Sequence, residues 1–274
     1  MNIILGIDMG MSTCKIIGFA GDNLLKPILK LSDKSNEDIV LKECLKEFLE
    51  TNSLQLSDIS SIMITGVGSS YIEGDIMGIP THYVAEFDAN GAYGDYVCPD
   101  DKYIIISMGT GSSYVYVDGK NMTHLGGLAL GGGTITGLSN VIFKNSDFEY
   151  IKNLSENGDI SNIDLCMGDI TKTEIPGLPS SITASNFAKA TGNESDADIA
   201  EGIIHTVIEN ILQTGALIGK GYGVKTFVLM GGLAKYPQCK GVSSQLNDLH
   251  KNINYICKEN AMYGSAIGAA LLYK

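Results

Sequence analysis

Along this chain, short apolar runs end repeatedly in clusters of glycine, serine and threonine. Ile3–Ile7, Tyr103–Ile106 and Thr226–Met230 each read as a strand. They lead into Gly6-Ile7-Asp8-Met9-Gly10-Met11-Ser12-Thr13-Cys14-Lys15, Ser107-Met108-Gly109-Thr110-Gly111-Ser112-Ser113 and Leu229-Met230-Gly231-Gly232. A second apolar run follows each of the first two turns, Cys14–Ala20 and Ser113–Val117. These runs stop at Gly21-Asp22-Asn23 and Asp118-Gly119-Lys120-Asn121. Residues 1–20 and 103–121 therefore read as two hairpins of one design, with Gly10 and Gly109 in matching places. Such a repeat, a domain-length apart, predicts a duplicated lobe.

Between the hairpins, Ser35–Thr51 has helical spacing, and Ile59–Thr65 is a strand ending at Gly66-Val67-Gly68. Tyr71–Met77 reads as a short helix, and Thr81–Ala85 as a strand that carries Glu86 at its end. Beyond the second hairpin, Gly133–Phe143 is helical behind a triple glycine, and Ser146–Ile182 is mixed. Asp196–Gly219 is the longest helical pattern, and Tyr263–Tyr273 is a helix of small residues fit for close packing. Alternating strands and helices predict an α/β fold.

Charge narrows the function. The net charge is −12 and all 19 basic residues are lysines, which argues against nucleic acid. Without a guanidinium fork, a phosphate chain has to be held by backbone N–H groups, hydroxyls, Lys15 and a divalent metal. No apolar run approaches the ~18 residues of a membrane span. Met1 leads almost directly into the first strand, so no signal peptide is expected and the expected location is the cytoplasm. The six cysteines are scattered without a Cys-x-x-Cys pair, which suits reduced thiols rather than zinc or disulfides.

Glycine turns at strand ends leave N–H groups free for phosphate, and three in this order suggest a nucleotide gripped between two lobes. Asp8 either holds hydrated Mg²⁺ or orients the transferring phosphoryl group, or else accepts N–H groups of its own turn. Lys15 lies where a long side chain could reach the β- and γ-phosphates. Thr110 and Gly111 offer a second contact, and Gly131-Gly132-Gly133 opens a helix whose N-terminus favours an anion. Glu86, in Val84-Ala85-Glu86-Phe87-Asp88-Ala89, is the candidate base, with Asp88 its rival. Phe148 or Tyr150 could stack on adenine or pack in the core. His124 and His205 have no partner at ligand spacing along the chain, and His205 falls on a helix face.

Taken together, these strings closely resemble the type II pantothenate kinases of the actin-like ATPase and sugar kinase superfamily. Six segments carry the likeness, in the family's order: Gly6–Lys15, Ala85–Ala89, Ser107–Ser113, Gly126–Gly137, Ile182–Phe187, and Glu259-Asn260-Ala261 through Gly268-Ala269. The resemblance implies a two-lobed, ribonuclease H-like fold with duplicated sheets and a central nucleotide cleft, divided at 1–98 and 99–274. It places Asp8, Gly10, Met11, Ser12, Thr13, Lys15, Thr110, Gly111, Gly132, Gly133, Thr134, Ile135, Thr136, Phe148 and Gly232 around ATP. Asp8 is then the residue holding Mg²⁺ through water, and Glu86 the base acting on the primary hydroxyl of a small acceptor. It also implies a homodimer that begins coenzyme A synthesis. Two positions depart from the pattern: His124 stands where the family has arginine, and Ala129-Leu130 where it has Gly-Thr. Both concern the acceptor side and imply that pantothenate binds more weakly or that a relative such as pantetheine is preferred. An amino-sugar kinase, an activator ATPase with a bridging iron–sulfur cluster, and a non-catalytic nucleotide-binding regulator are the rival classes.

Overall fold

The computed structural model describes residues 2–32, 36–173 and 175–274. The chain opens with β1 (Ile3–Met9), β2 (Thr13–Ala20), β3 (Asn23–Leu24), β4 (Ile28–Leu31) and α1 (Glu37–Thr51). It continues through β5 (Ile59–Thr65), β6 (Thr81–Tyr83) and α2 (Glu86–Val97). Next come β7 (Lys102–Met108), β8 (Ser112–Asp118), β9 (Asn121–Leu128), α3 (Gly132–Phe143), α4 (Phe148–Ser155), β10 (Leu165–Cys166), α5 (Met167–Ile170) and β11 (Thr183–Ser185). Last are α6 (Asp196–Tyr222), β12 (Thr226–Met230), α7 (Pro237–His250), β13 (Asn254–Ile256) and α8 (Gly264–Leu271).

The two large sheets repeat one topology. The first runs β3-β2-β1-β5-β6, with β4 added to β2; the second runs β9-β8-β7-β12-β13. In each, an antiparallel meander leads to a central strand, β1 or β7, which pairs parallel with the next strand inward. The two hairpins read from the sequence are thus equivalent pieces of two lobes.

Each sheet covers one face with its own helices. Against the first, α1 buries Leu41, Leu45 and Phe48 beside Leu5, Ile7 and Ile16. Against the second, α6 buries Ile203, Ile204, Val207, Ile208, Ile211 and Leu212. Each such side chain contributes roughly 1.5–3 kcal/mol. Ser195 caps α6 by accepting the Asp198 N–H, and Gly223 ends it in the left-handed conformation at φ 68°.

The opposite faces of the two sheets meet through α2 and α8, in a shared core of Ile17, Phe19, Tyr93, Tyr103, Val115, Val228, Met230, Ala266 and Ala270. Close approach there requires glycine. A Cβ on Gly6 would lie 1.8 Å from the Ala266 carbonyl oxygen, and one on Gly268 would lie 1.7 Å from that of Ala89. The small-residue helix read at 263–273 thus lies against β1 on one side and α2 on the other. Among the described residues, no helix is long and apolar enough to cross a membrane.

Several elements differ from the sequence reading. Residues 71–77 are not helical: a 3-10 turn at Val67–Tyr71 gives way to a loop in which Gly74, Met77 and Gly78 have positive φ, a conformation a helix cannot hold. The strand expected over 81–85 stops at Tyr83, and Glu86 instead opens α2. Strand β9 and helix α7 were not anticipated at all. Ser35, placed in the first helix, lies outside the described residues, and the helix described there is Glu37–Thr51.

Candidate active site

The first turn is closed by the Gly10 N–H donating to the Thr13 carbonyl at 2.9 Å. The second is closed the same way, with the Gly109 N–H donating to Gly111 at 2.9 Å. Among the described residues, no protein partner accepts the next two N–H groups in either loop, those of Met11 and Ser12 or of Thr110 and Gly111. Each turn therefore offers two adjacent donors, the arrangement that binds phosphate oxygens.

The second turn is locked to the start of α3. The Gly132 N–H donates to the Gly109 carbonyl at 2.8 Å, and the Gly133 N–H to that of Thr110 at 2.9 Å. A Cβ on Gly131 would fall 2.5–2.7 Å from Thr110, Gly109 and Gly111 backbone atoms, so only glycine permits this backbone-on-backbone contact. Gly231, at φ +93°, lies equally close to Met108 at the end of β7. Phe148 packs edge-on against Tyr236, with centroids 5.2 Å apart, and its ring reaches Gly132, where an added Cβ would lie 3.5 Å from it. Gly109–Gly111, Gly131–Gly133, Gly231 and Phe148 thus form one assembly. Within it, Thr134 and Thr136 turn back onto Ala129, Gly132 and Gly133 carbonyls, and Ile135 is core. Gly232 follows at the head of a 3-10 turn.

On the other side, Asp8 and Lys15 face each other across the β1–β2 pair, Nζ to Oδ2 at 2.9 Å, both largely shielded. Lys15 is therefore committed to Asp8 rather than extended alone. Gly66, at φ +90°, closes over this pair, since a Cβ there would touch Asp8 Oδ1 at 2.7 Å. Thr65, opposite Asp8 on β5, has a buried hydroxyl without a partner among the described residues. Glu86 stands near both charges. Desolvation chiefly, and then the negative Asp8, raises its carboxyl above the ordinary range, while Lys15 pulls it back. The residue remains solvent-accessible, so a substrate can reach it. Asp88 is exposed on the same first turn of α2.

Helix α8 holds the two groups in one frame. The Gly231 N–H donates to Ala261 at 3.0 Å, Gly264 abuts Met230, and Gly6 and Gly268 bring β1 and α2 against the helix.

His124 is placed by an irregularity in β9. Tyr114 pairs with Gly126 but Val115 pairs with His124, so Leu125 is an extra residue in the ladder. His124 then lies on the α2 side, its ring 4.5 Å from that of Phe87 and tilted by 32°. One turn along α2, Gly91 makes room for Met122. His205 corrects the sequence reading: it has partners at ligand distance, Asp164 and Glu209. The Glu209 spacing of four on one helix was visible in the sequence, whereas Asp164, 41 residues away, was not.

The chain is 27% identical to the type II pantothenate kinase of Staphylococcus haemolyticus over 266 residues, covering 92% of this chain and 97% of that one. It is 28% identical to that of Staphylococcus epidermidis over 228 residues, with 80% and 86% covered. Among solved structures, the activator of the 2-hydroxyisocaproyl-CoA dehydratase from Clostridium difficile with bound ADPNP superposes with a TM-score of 0.69 at 17% identity, covering 98% and 93% of the two chains. A ROK family glucokinase from Streptomyces griseus in complex with glucose and AMPPNP gives 0.61 at 10% identity, with 99% of each chain covered. These structures establish the two-lobed fold of actin-like ATPases and ROK kinases. The Fumble family model matches residues 84–260, well over half of the chain; the protein belongs to the Fumble family and is a relative of the type II pantothenate kinases.

Proposed function

We propose that this protein is an ATP-dependent kinase acting on the primary hydroxyl of pantothenate, the opening step of coenzyme A synthesis. The observation that carries the reading is Glu86: an accessible carboxylate with a raised pKa, beside the Asp8–Lys15 pair and next to a turn with two free N–H groups. The names of the relatives support the same chemistry.

In this mechanism the two turns hold the phosphate chain, and Phe148 borders the adenosine end. Glu86 accepts the hydroxyl proton as the acceptor oxygen bonds to the γ-phosphorus and ADP departs. Most of the acceleration comes from positioning and charge stabilisation; the base supplies about 10²–10⁴. Asp8 would hold Mg²⁺ through water, and the unpartnered Thr65 hydroxyl beside it suits a hydrated ion. When bound, that ion supplies charge neutralisation at the phosphate oxygens. The lobes in this reading are 1–98 and 99–274, with α8 crossing between them, and the active form is a cytoplasmic homodimer.

The deciding experiment is Glu86→Gln, which keeps shape but removes the base. Turnover on pantothenate is expected to fall by ~10² or more, with ATP still bound. Wild-type turnover would transfer the role to Asp88 or Asp8. A second acceptor is favoured by one observation: the chain has no arginine, and His124 stacks on Phe87 next to the base. That wall suits an uncharged relative such as pantetheine. If His124→Arg raises pantothenate turnover relative to pantetheine, the natural acceptor is the neutral one; an unchanged ratio removes this second reading.

A further inference from the structure

Away from the cleft, four polar side chains from three separate segments close a ring. Asp164 precedes β10, Asn186 follows β11, and His205 and Glu209 lie one turn apart on α6. His205 Nδ1 is 3.1 Å from Asp164 Oδ2 and 3.9 Å from Glu209 Oε2. Asn186 Nδ2 lies 3.1 Å from Asp164 Oδ2 and 2.8 Å from Glu209 Oε2. The His, Asp and Glu ligand atoms all fall within 4.8 Å of one another. We propose that this ring binds a divalent first-row transition ion, with Asp164, His205, Glu209 and the Asn186 amide as its ligands.

Spacing supports it. Atoms bonded to a common ion at about 2.0–2.2 Å stand roughly 3–3.5 Å apart, and the four edges of the ring bracket that range. Asn186 now turns its NH₂ inward, where it satisfies both carboxylates. Rotating the amide brings Oδ1 to the same place, at the cost of one long contact with Asn210 Nδ2 at 3.4 Å. Which amide atom faces inward follows from what occupies the centre.

Charge supports it as well. Asp164 is wholly buried, and the Glu209 and His205 side chains are 14% and 8% exposed. Among the described residues, neither carboxylate is paired with a lysine. Two shielded carboxylates facing one imidazole leave negative charge that neutral donors do not cancel; a divalent ion does. The Phe187 N–H, donating to Asp164 Oδ1 at 2.8 Å, fixes that carboxylate with Oδ2 inward, the outer support typical of a metal ligand. Glu209 and Asn186 also border a cavity of about 230 Å³ with Asn210, Gln213 and Leu246, which gives an ion an entry and room for water. One imidazole among oxygen donors selects Zn²⁺ or Mn²⁺ over Mg²⁺. Bound there, the ion clamps the segments that carry Asp164 and Asn186 onto α6. This site is independent of the nucleotide and of the kinase reading.

The test uses the full chain, stripped with EDTA and then exposed separately to ZnCl₂, MnCl₂ and MgCl₂. Metal retained after desalting, the melting temperature and the visible absorption of a Co²⁺-loaded sample are the readouts. The expected result is retention of one Zn²⁺ or Mn²⁺ per chain, a raised melting temperature and no response to Mg²⁺. Asp164→Asn removes a buried ligand and could unfold the region, so the decisive variant is Glu209→Gln, which keeps size and hydrogen bonding at a partly exposed position. It is expected to weaken Zn²⁺ by at least ~10-fold. Thiol-bound zinc would be unaffected by Glu209→Gln, and that outcome overturns the proposal. So does a folded wild-type chain with neither retained metal nor a melting shift, which would mean that protons alone hold the ring together.

Discussion

Replacing Gly109 with alanine separates binding from folding at the second turn. A Cβ at Gly109 would meet one heavy atom within 4 Å, the Gly111 carbonyl oxygen at 3.8 Å, and the backbone there lies outside the left-handed region. The fold therefore tolerates the methyl, and the less flexible unfolded chain stabilises the protein by about 0.4–1 kcal/mol. The same methyl stands beside the free Thr110 and Gly111 N–H groups, where a phosphate oxygen must come to about 2.9 Å. Losing one such bond to a charged oxygen costs about 1.5–3 kcal/mol, a roughly 10- to 150-fold rise in Kd. Gly131→Ala is the control, because its Cβ would strike three backbone atoms at 2.5–2.7 Å and is expected to lower stability first. Calorimetric titration with ATP, beside a thermal melt of each variant, reads both quantities. A Gly109→Ala protein that melts like wild type and binds ATP as tightly refutes phosphate binding at this turn.

Other outcomes follow from the same geometry. As the proposed base, Glu86 has to be ionised to accept a proton, and its carboxyl is raised by desolvation and Asp8, so kcat/KM should fall with decreasing pH at values above the ordinary carboxylate range. Lys15→Met removes the charge that lowers this pKa, so the acid limb should move to still higher pH; a shift downward, seen in the pH profile, contradicts the assignment. Gly268→Ala drives a methyl into the Ala89 carbonyl at 1.7 Å, and backbone cannot rotate away. A loss of about 3 kcal/mol, roughly 6–12 °C in the melt, is expected, and an unchanged melt would show that α8 is not tightly seated on α2.

The parts that were legible in the sequence are those whose local signals and tertiary roles coincide. Both hairpins combine apolar runs with glycine turns, and β12 occupies the predicted 226–230. Helix α6 has a serine cap, a glycine stop and one apolar stripe, and it runs only three residues past the expected end. Helix α2 hid because Glu-Phe-Asp-Ala-Asn-Gly-Ala-Tyr-Gly-Asp-Tyr-Val is poor in helix formers. Its small residues serve packing: Gly94 fits against the Tyr103 ring and Ala89 against Gly268. Strand β9 hid because Leu125 breaks its alternation. In α7 only Cys239, Val242 and Leu246 are buried, so its apolar stripe is thin. Glu86 stands out from its string, but its place at the head of a helix rather than the end of a strand depends on this packing. The Phe87–His124 contact joins residues 37 apart in sequence and had no local signal.

The two lobes share one strand order yet carry different equipment at the matching turn. In the first, the turn is flanked by a largely shielded aspartate before it and lysine after it; in the second, it is backbone only, braced by the glycines of α3. A chain of net charge −12 without arginine repels a polyanion at long range, so in the proposed mechanism the phosphate chain is captured by short-range N–H donors that are already in place. That makes the relative position of the two turns the decisive quantity, because a displacement near 1 Å can cost about 10²-fold in rate. Helix α8 is what fixes it. Its glycine and carbonyl contacts with β1 and α2, together with the Ala261–Gly231 hydrogen bond just before it, connect the Asp8 strand, the Glu86 helix and the third glycine turn through one short, fully interlocked element. Substitutions on α8 should therefore lower catalytic turnover more than ATP affinity, although none of its residues need touch either substrate.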